Sequence, residues 1–518
     1  MSAMAKPLAG APSTSVTNWD SIDWKKVVAH VRLLQMRIAK AFKEGKRGKV
    51  KALQHVLTTS FYSKLLAVKR VTSNKGAKTP GVDGAIWNTP AKKMAAAKML
   101  KRRGYKTKPL KRIYIPKKHK SKLRPLSIPV MGCRAQQALY LLALEPISET
   151  IADKNAYGFR PLRSTADAIE CCFKALSRTV SSQYILEGDI RACFDQISHK
   201  WLEENVPMDR QVLSKMLAAG YIENNKFHHT IVGTPQGGII SPTLLGVTLS
   251  GLEKAVKAAF KPNDKVNLCV YADDFIITGV STEVLEKVKL VVDAFLSERG
   301  LSLHPEKTKI THISKGFDFL GMNIRKYNNK LLVRPAASSV KRFLASIRDI
   351  IKHNKTCKTE VLISMLNPKI RGWSNYYRHV CSKRTFGYVD HKIFEALWRW
   401  AVRRHPNKGK RWVQNKYYRS IGNRNWVFHA KGKNKHGEAE FVDLVQARKV
   451  PIKRHIKVKA EATPYDPAYH EYYDKLIAMR KIVTGSKSVA NWWLCWWHLF
   501  SSDVKVKAGS PCAALQKA

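Results

Sequence analysis

Acidic residues are scarce in this chain. Asp and Glu number 38 against 93 Lys and Arg, a formal charge of +55 at pH 7, and an excess of one sign on that scale repels itself in any compact state. A polyanion relieves the repulsion and releases counterions on binding, so nucleic acid is the expected partner. Long apolar runs are also missing. The longest candidates, around Ala138–Leu144 and Trp492–Phe500, fall short of the roughly 18 to 20 residues that cross a bilayer, which argues against a membrane partner. Met1–Val16 lacks the continuous apolar core of a secretory leader. The 9 cysteines are scattered, with no CxxC pair, so a disulfide scaffold is not expected and a reducing, cytoplasmic location is.

What is present is a folding chain. A hydrophobic fraction of 44% and 13 Trp set it apart from a disordered basic tail, and 518 residues suffice for two to four domains. Asn18–Arg70 reads as basic helix, with Val27, Val28, Val31, Leu33, Leu34 and Ile38 at helical spacing. Strand patterns follow at Ile113–Ile115, Leu126–Ile128, Tyr184–Asp189, Val266–Val270 and Phe275–Thr278, interleaved with helical stretches at Ser241–Phe260 and Thr282–Glu298. That alternation predicts an α+β core. From Val340 the apolar stripe Val340, Phe343, Leu344, Ile347, Ile350, Ile351 opens a helical region. Beyond it, Lys408–Lys459 alternates basic clusters with isolated aromatics and reads as a second, smaller nucleic-acid-binding region.

The chemistry concentrates on three aspartates. Asp189 ends one strand pattern, and Asp273 and Asp274 sit in the tight turn between two others. Adjacent strands of one sheet would bring the two places together. Transfer of a nucleotide to a 3′-hydroxyl uses two divalent ions, and hard ions such as Mg²⁺ choose carboxylate oxygens. An Asp-Asp pair alone is a modest sign, since most are solvated turns; in a strongly basic chain and between strands it carries more.

The string Tyr271-Ala272-Asp273-Asp274 resembles the signature turn of reverse transcriptases, and its neighbours resemble those of bacterial group II intron-encoded proteins. Glu187-Gly188-Asp189-Ile190-Arg191-Ala192-Cys193-Phe194-Asp195 is similar to the family's first aspartate motif, and Gly233-Thr234-Pro235-Gln236-Gly237-Gly238 to its glutamine-glycine loop. Tyr157-Gly158-Phe159-Arg160-Pro161, Leu303-His304-Pro305-Glu306-Lys307-Thr308-Lys309 and Phe319-Leu320-Gly321 match further blocks in the family's order.

The resemblance implies a right-hand polymerase, with fingers and palm followed by an all-helical thumb called maturase domain X. Asp189, Asp273 and Asp274 become the catalytic, metal-binding carboxylates for two Mg²⁺ ions, with Mn²⁺ as the alternative. Lys117, Arg124, Ile190, Phe194 and Gln236 become nucleotide-binding positions, with Lys118 an alternative to Lys117. Lys117 and Arg124 would grip the triphosphate, Phe194 would exclude a 2′-hydroxyl, and Gln236 would touch the template or incoming base. Phe319-Leu320-Gly321 would be the primer grip. Arg371, Trp373, Tyr376 and Arg378, within Arg371-Gly372-Trp373-Ser374-Asn375-Tyr376-Tyr377-Arg378, would bind intron RNA. Trp373 and Tyr377 are the stronger candidates for core positions.

Lys453, Arg454, His455 and Lys457 fall in a segment that, with Thr463-Pro464-Tyr465-Asp466-Pro467, resembles the family's DNA-binding region. Many relatives continue into an HNH nuclease with paired CxxC cysteines. Past Ile482 this chain offers only Cys495, His498 and Cys512, so the nuclease reads as missing or degenerate.

The expected division is 1–70 basic helical extension, 71–332 fingers and palm, 333–430 thumb, 431–482 DNA-binding region and 483–518 degenerate tail. The expected function is RNA-directed DNA polymerase and intron maturase, with group II intron RNA, a DNA target and primer, and dNTPs as partners. A reverse transcriptase recruited to a host role such as defence, or a splicing-only RNA-binding cofactor, are the alternatives.

Overall fold

Helical periodicity at the N-terminus becomes a packed bundle. In the computed structural model, which describes residues 18–116, 123–433 and 439–484, helices span Trp24–Lys43, Arg47–Thr59 and Phe61–Thr72. The first is capped by Asp23, whose carboxylate accepts from the amides of Lys25 and Lys26. Val27, Val31, Leu34 and Ile38 turn inward and pack, with the other two helices, against the long helix Met131–Ile151. That helix buries polar groups along with its leucines, and its long polar side chains find partners. Arg134 donates to the carbonyls of Pro129, Gly76 and Thr79 at 2.7, 2.9 and 2.7 Å. Gln137 accepts from the amide of Ile239 at 2.8 Å.

Described residues of Met1–Ala168, Ile185–Ile310 and Val458–Ala518 form one compact unit, and those of Ile169–Tyr184 and Thr311–Lys457 a second. Strands β1 (Leu110–Pro116), β2 (Leu123–Ile128), β3 (Tyr184–Asp189), β4 (Tyr221–Glu223), β5 (Lys226–His228), β6 (Asn267–Tyr271), β7 (Asp274–Gly279) and β8 (Lys309–His312) make two sheets. Their orders are β2-β1-β4-β5 and β6-β7-β3-β8. The helical pattern read as continuous over Ser241–Phe260 is two helices, Ser241–Leu249 and Leu252–Ala259. Gly251, at φ +95°, turns the chain between them.

Strands β9 (Phe317–Phe319), β10 (Met322–Tyr327) and β11 (Lys330–Pro335) open the second unit as an antiparallel sheet. Helices Ala337–His353, Thr359–Tyr377, Lys383–Arg403 and Lys410–Tyr417 follow. The chain then turns to strand where helix was expected: β12 (Tyr418–Ile421), β13 (Arg424–Lys433) and β14 (Ala439–Asp443) pair in that order. The physical reason is the aromatic and β-branched run Trp426-Val427-Phe428 after a Gly422-Asn423 turn, which suits a pleated surface.

The region expected to be one DNA-binding stretch is divided. From Val458 the chain belongs to the first unit, where Tyr465 enters the N-terminal core. Its hydroxyl donates to Glu145 at 2.9 Å. Among the described residues no helix is long and apolar enough to cross a membrane.

Candidate active site

The β6–β7 hairpin pairs Tyr271 with Asp274, so Ala272 and Asp273 alone make its turn. Ala272 stands at φ +59°, a left-handed conformation costing a residue with a Cβ roughly 1–2 kcal/mol. The neighbouring block holds it there. The Tyr157 amide donates to Val270 O at 2.9 Å and the Val270 amide to Asn155 O at 3.0 Å. The backbones come so close that a Cβ on Gly158 would lie 2.1 Å from the Ala272 nitrogen. A glycine in Tyr157-Gly158-Phe159-Arg160-Pro161 is therefore a requirement of the turn.

A second glycine admits the other aspartate. β3 lies beside β7, and a Cβ on Gly188 would meet the Phe275 ring at 2.2 Å. Only with that space empty do Gly188-Asp189 and Asp274-Phe275 lie side by side. Desolvation, then the negative charges of Asp273 and Asp189, push the Asp274 carboxyl up to about 6, with Lys307 acting in the opposite direction. The nearby Cys193 thiol is pushed up by burial and by Asp273, Asp189 and Asp195.

Lys307 is the partner that sequence reading did not assign. Its ammonium donates to Asp189 Oδ1 and Oδ2 at 2.9 and 2.8 Å. The segment carrying it is latched by the His304 amide on Asp189 O at 2.8 Å and by the Arg191 amide on Ser302 O at 3.0 Å. The one available signal was a lysine inside a quoted motif.

Hard oxygen donors with mutually repelling charges fit a divalent cation in chemistry and sign. Among the described residues, however, no group of three or more His, Cys, Asp or Glu side chains is gathered closely enough to hold one, and Lys307 occupies Asp189.

Around this centre the glutamine-glycine loop is stitched to both neighbours. The Ser127 amide on β2 donates to Gln236 O at 2.8 Å, and the Thr234 amide to Phe194 O. The Gln236 side-chain amide, expected to face a base, donates to Asp195 Oδ2 at 3.1 Å. Phe194 is half-buried in the short helix Cys193–Gln196, edge-on to Phe159 with centroids 6.2 Å apart. Ile190 is 2% exposed and bridges Leu303, so only its backbone is available to a nucleotide. Arg124 is exposed on β2 opposite Ile115. Lys117 and Lys118 lie outside the described residues, as do Cys495, His498 and Cys512.

In the second unit, the turn Phe319-Leu320-Gly321 is gripped in a way the sequence did not announce. Leu320 O accepts from the Tyr376 hydroxyl at 2.8 Å and Gly321 O from the Tyr377 hydroxyl at 3.0 Å. Of the residues expected on RNA, Arg371 and Tyr376 are exposed. Trp373 instead stacks on Phe343 at 4.6 Å between Tyr377 and Phe386, which supports the core reading. Arg378 is only 4% exposed, and a guanidinium so enclosed offers little to a phosphate.

Among the DNA-binding candidates, Arg454 is exposed and pairs with Glu170 at 3.1 Å. His455 stands edge-on to His379. Lys453 is tied through its backbone to Arg378 O and His379 Nδ1, each at 3.0 Å, and Lys457 is half-buried.

Comparison with known proteins agrees in order along the chain. Residues 19–100 match the N-terminal domain of reverse transcriptase. Residues 115–324 match the reverse transcriptase (RNA-dependent DNA polymerase) family, and 340–418 the group II intron, maturase-specific domain. Protein YkfC of Escherichia coli is 32% identical over 304 residues, covering 50% of this chain and 79% of its own. The group II intron-encoded protein LtrA of Lactococcus lactis is 28% identical over 413 residues, 60% of this chain and 68% of its own. Maturase-like protein 1 of Euglena longa is 24% identical over 387 residues, 71% and 80% respectively. With the ordered motifs and the paired aspartate strands, these matches establish that the chain belongs to the group II intron-encoded reverse transcriptases, RNA-directed DNA polymerases with a maturase domain.

Proposed function

We propose that the chain copies its intron RNA into DNA at a centre formed by Asp189, Asp273 and Asp274, and binds that RNA through its second unit to assist splicing. The observation that carries this reading is the approach of β3 to the β6–β7 hairpin, for which Gly188 leaves the space, while Gly158 lets its own segment lie against the turn. Two Mg²⁺ ions, or Mn²⁺ in their place, would supply activation of the primer 3′-hydroxyl and neutralisation of the leaving pyrophosphate when bound. Asp189 and Asp274 would hold them, with Asp273 completing the set from the turn.

Phe194 would lie under the sugar and leave no room for a 2′-hydroxyl. Arg124, with Lys117, would grip the triphosphate as a bidentate donor and a point charge. Gln236, held by Asp195, would present its loop to the template base. The first unit would serve as fingers and palm, and the helices from Ala337 as thumb. Arg371 and Tyr376 would meet intron RNA, and Arg454 and its neighbours the DNA target. The chain would act in the cytoplasm on dNTPs and a DNA primer.

The test is extension of a DNA primer annealed to RNA by the full chain with dNTPs and Mg²⁺. Template-dependent products support the reading. No extension with either Mg²⁺ or Mn²⁺, from protein that binds the annealed substrate, contradicts it.

A further inference from the structure

Outside the polymerase centre, a shallow pocket open to solvent lies between helix Lys383–Arg403 and strands β12 and β13. Phe394, Tyr418, Trp426 and Phe428 wall it, with Asp390 and Arg424 beside them. Its rings stand on edge to one another: Phe394 to Trp426 at 5.6 Å and 90°, Tyr418 to Trp426 at 5.4 Å and 62°. Trp426 forms the rim and is 44% exposed.

Two polar atoms here lack partners. Tyr418 is 4% exposed, yet its buried hydroxyl makes no hydrogen bond, and Arg424 Nη2 is likewise buried without an acceptor. Asp390 does not satisfy them. Its two oxygens accept the amides of Ala447 and Arg448 at 2.8 and 2.9 Å. Unpaired buried polar groups are costly, and such exceptions call for an explanation. A ligand supplying hydrogen-bonding atoms to both would remove the penalty.

The chemistry narrows the ligand. An aliphatic group would leave both atoms unpaired. A phosphate would satisfy Arg424 but face aromatic walls and the Asp390 carboxylate. A flat heteroaromatic ring can stack on the exposed Trp426 and carries on its edge the polar atoms that the two unpartnered groups call for. The match to the maturase-specific domain ends at residue 418, so most of β12 and all of β13 lie outside it.

We propose that this pocket receives one unpaired nucleobase of bound RNA, stacked on the exposed face of Trp426 with Phe394 edge-on, and hydrogen-bonded by Arg424 and the Tyr418 hydroxyl. The proposal rests on the reading that the second unit binds RNA, and its test separates the two. Affinity of the full chain is measured for a short unpaired RNA oligonucleotide and for a blunt RNA duplex, with Trp426→Ala, Arg424→Gln and Tyr418→Phe variants.

Trp426→Ala and Arg424→Gln should weaken the unpaired RNA by about 5- to 100-fold, the range of one stacked base, and leave the duplex unchanged. Tyr418→Phe removes only an unpartnered hydroxyl, so it should weaken unpaired RNA while the melting temperature holds or rises. Equal losses on both probes, or no loss on either, overturn the pocket. Wild-type protein that binds neither probe overturns the RNA-binding reading and the pocket with it.

Discussion

Lys307 holds both carboxylate oxygens of Asp189, at 2.9 and 2.8 Å, across 118 positions of sequence. Half of the lysine side chain is exposed, so the pair contributes little to stability, about 0–1 kcal/mol. Its consequence is electrostatic. Among the described residues, this ammonium is the cation that acts on Asp274 against the two neighbouring aspartates. Lys307→Gln should leave the melting temperature nearly unchanged and lower the Mg²⁺ concentration that gives half-maximal primer extension. An unchanged Mg²⁺ dependence would show that the lysine does not compete for Asp189.

Gly158 tests the geometry from the other side. A Cβ there would lie 2.1 Å from the Ala272 nitrogen, a backbone atom that cannot swing aside. Gly158→Ala should cost about 1–3 kcal/mol by overpacking and abolish extension more thoroughly than that loss explains. A melt and an extension assay on the same preparation decide the matter; full activity would mean that the turn tolerates displacement.

Phe194 is expected to select the sugar. Phe194→Ala opens the space beneath the ribose, and discrimination against ribonucleotides should fall by roughly 10- to 200-fold, as for other lost packing contacts in a binding pocket. The ratio of kcat/KM for a dNTP and the matching rNTP measures this. An unaltered ratio would return Phe194 to the role of a core aromatic beside Phe159.

Stability should carry a pH signature from Glu145, far from Asp189, Asp273 and Asp274 in sequence. Burial raises its carboxyl from the ordinary 4.5 to about 7, with Arg70 and the Tyr465 hydroxyl acting the other way. Between those values the folded chain keeps a proton that the unfolded chain has released. The stabilisation is therefore whole below the unfolded value and is lost as pH rises through the folded one, by about 3 kcal/mol in all. Glu145→Gln should flatten this slope in denaturant titrations from pH 4.5 to 7. A slope equal to that of the wild type would assign it to other groups.

The aspartates were legible because local pattern encodes them: Asp273 and Asp274 interrupt two alternating strands, and Asp189 ends a third. Long-range pairings were not, since Lys307 reaches Asp189 and Tyr465 reaches Glu145 over 118 and 320 positions. Periodicity carries no record of such contacts. Tyr465 was read with the DNA-binding segment, yet its ring completes the N-terminal core. Residues 418–443 hid their strands because basic and glycine residues break the alternation around Trp426 and Phe428. Arg378 and Trp373 looked like RNA contacts by composition. Which face of Thr359–Tyr377 turns inward is decided by Phe343 and Phe386, which lie on other helices.

The central claim is that the carboxylates of Asp189, Asp273 and Asp274 do the polymerase chemistry while RNA is held elsewhere. Extension of a DNA primer on an RNA template, measured beside RNA affinity for an Asp273→Ala, Asp274→Ala variant, tests it most directly. The account predicts that synthesis vanishes and RNA binding survives. Retained synthesis would contradict it.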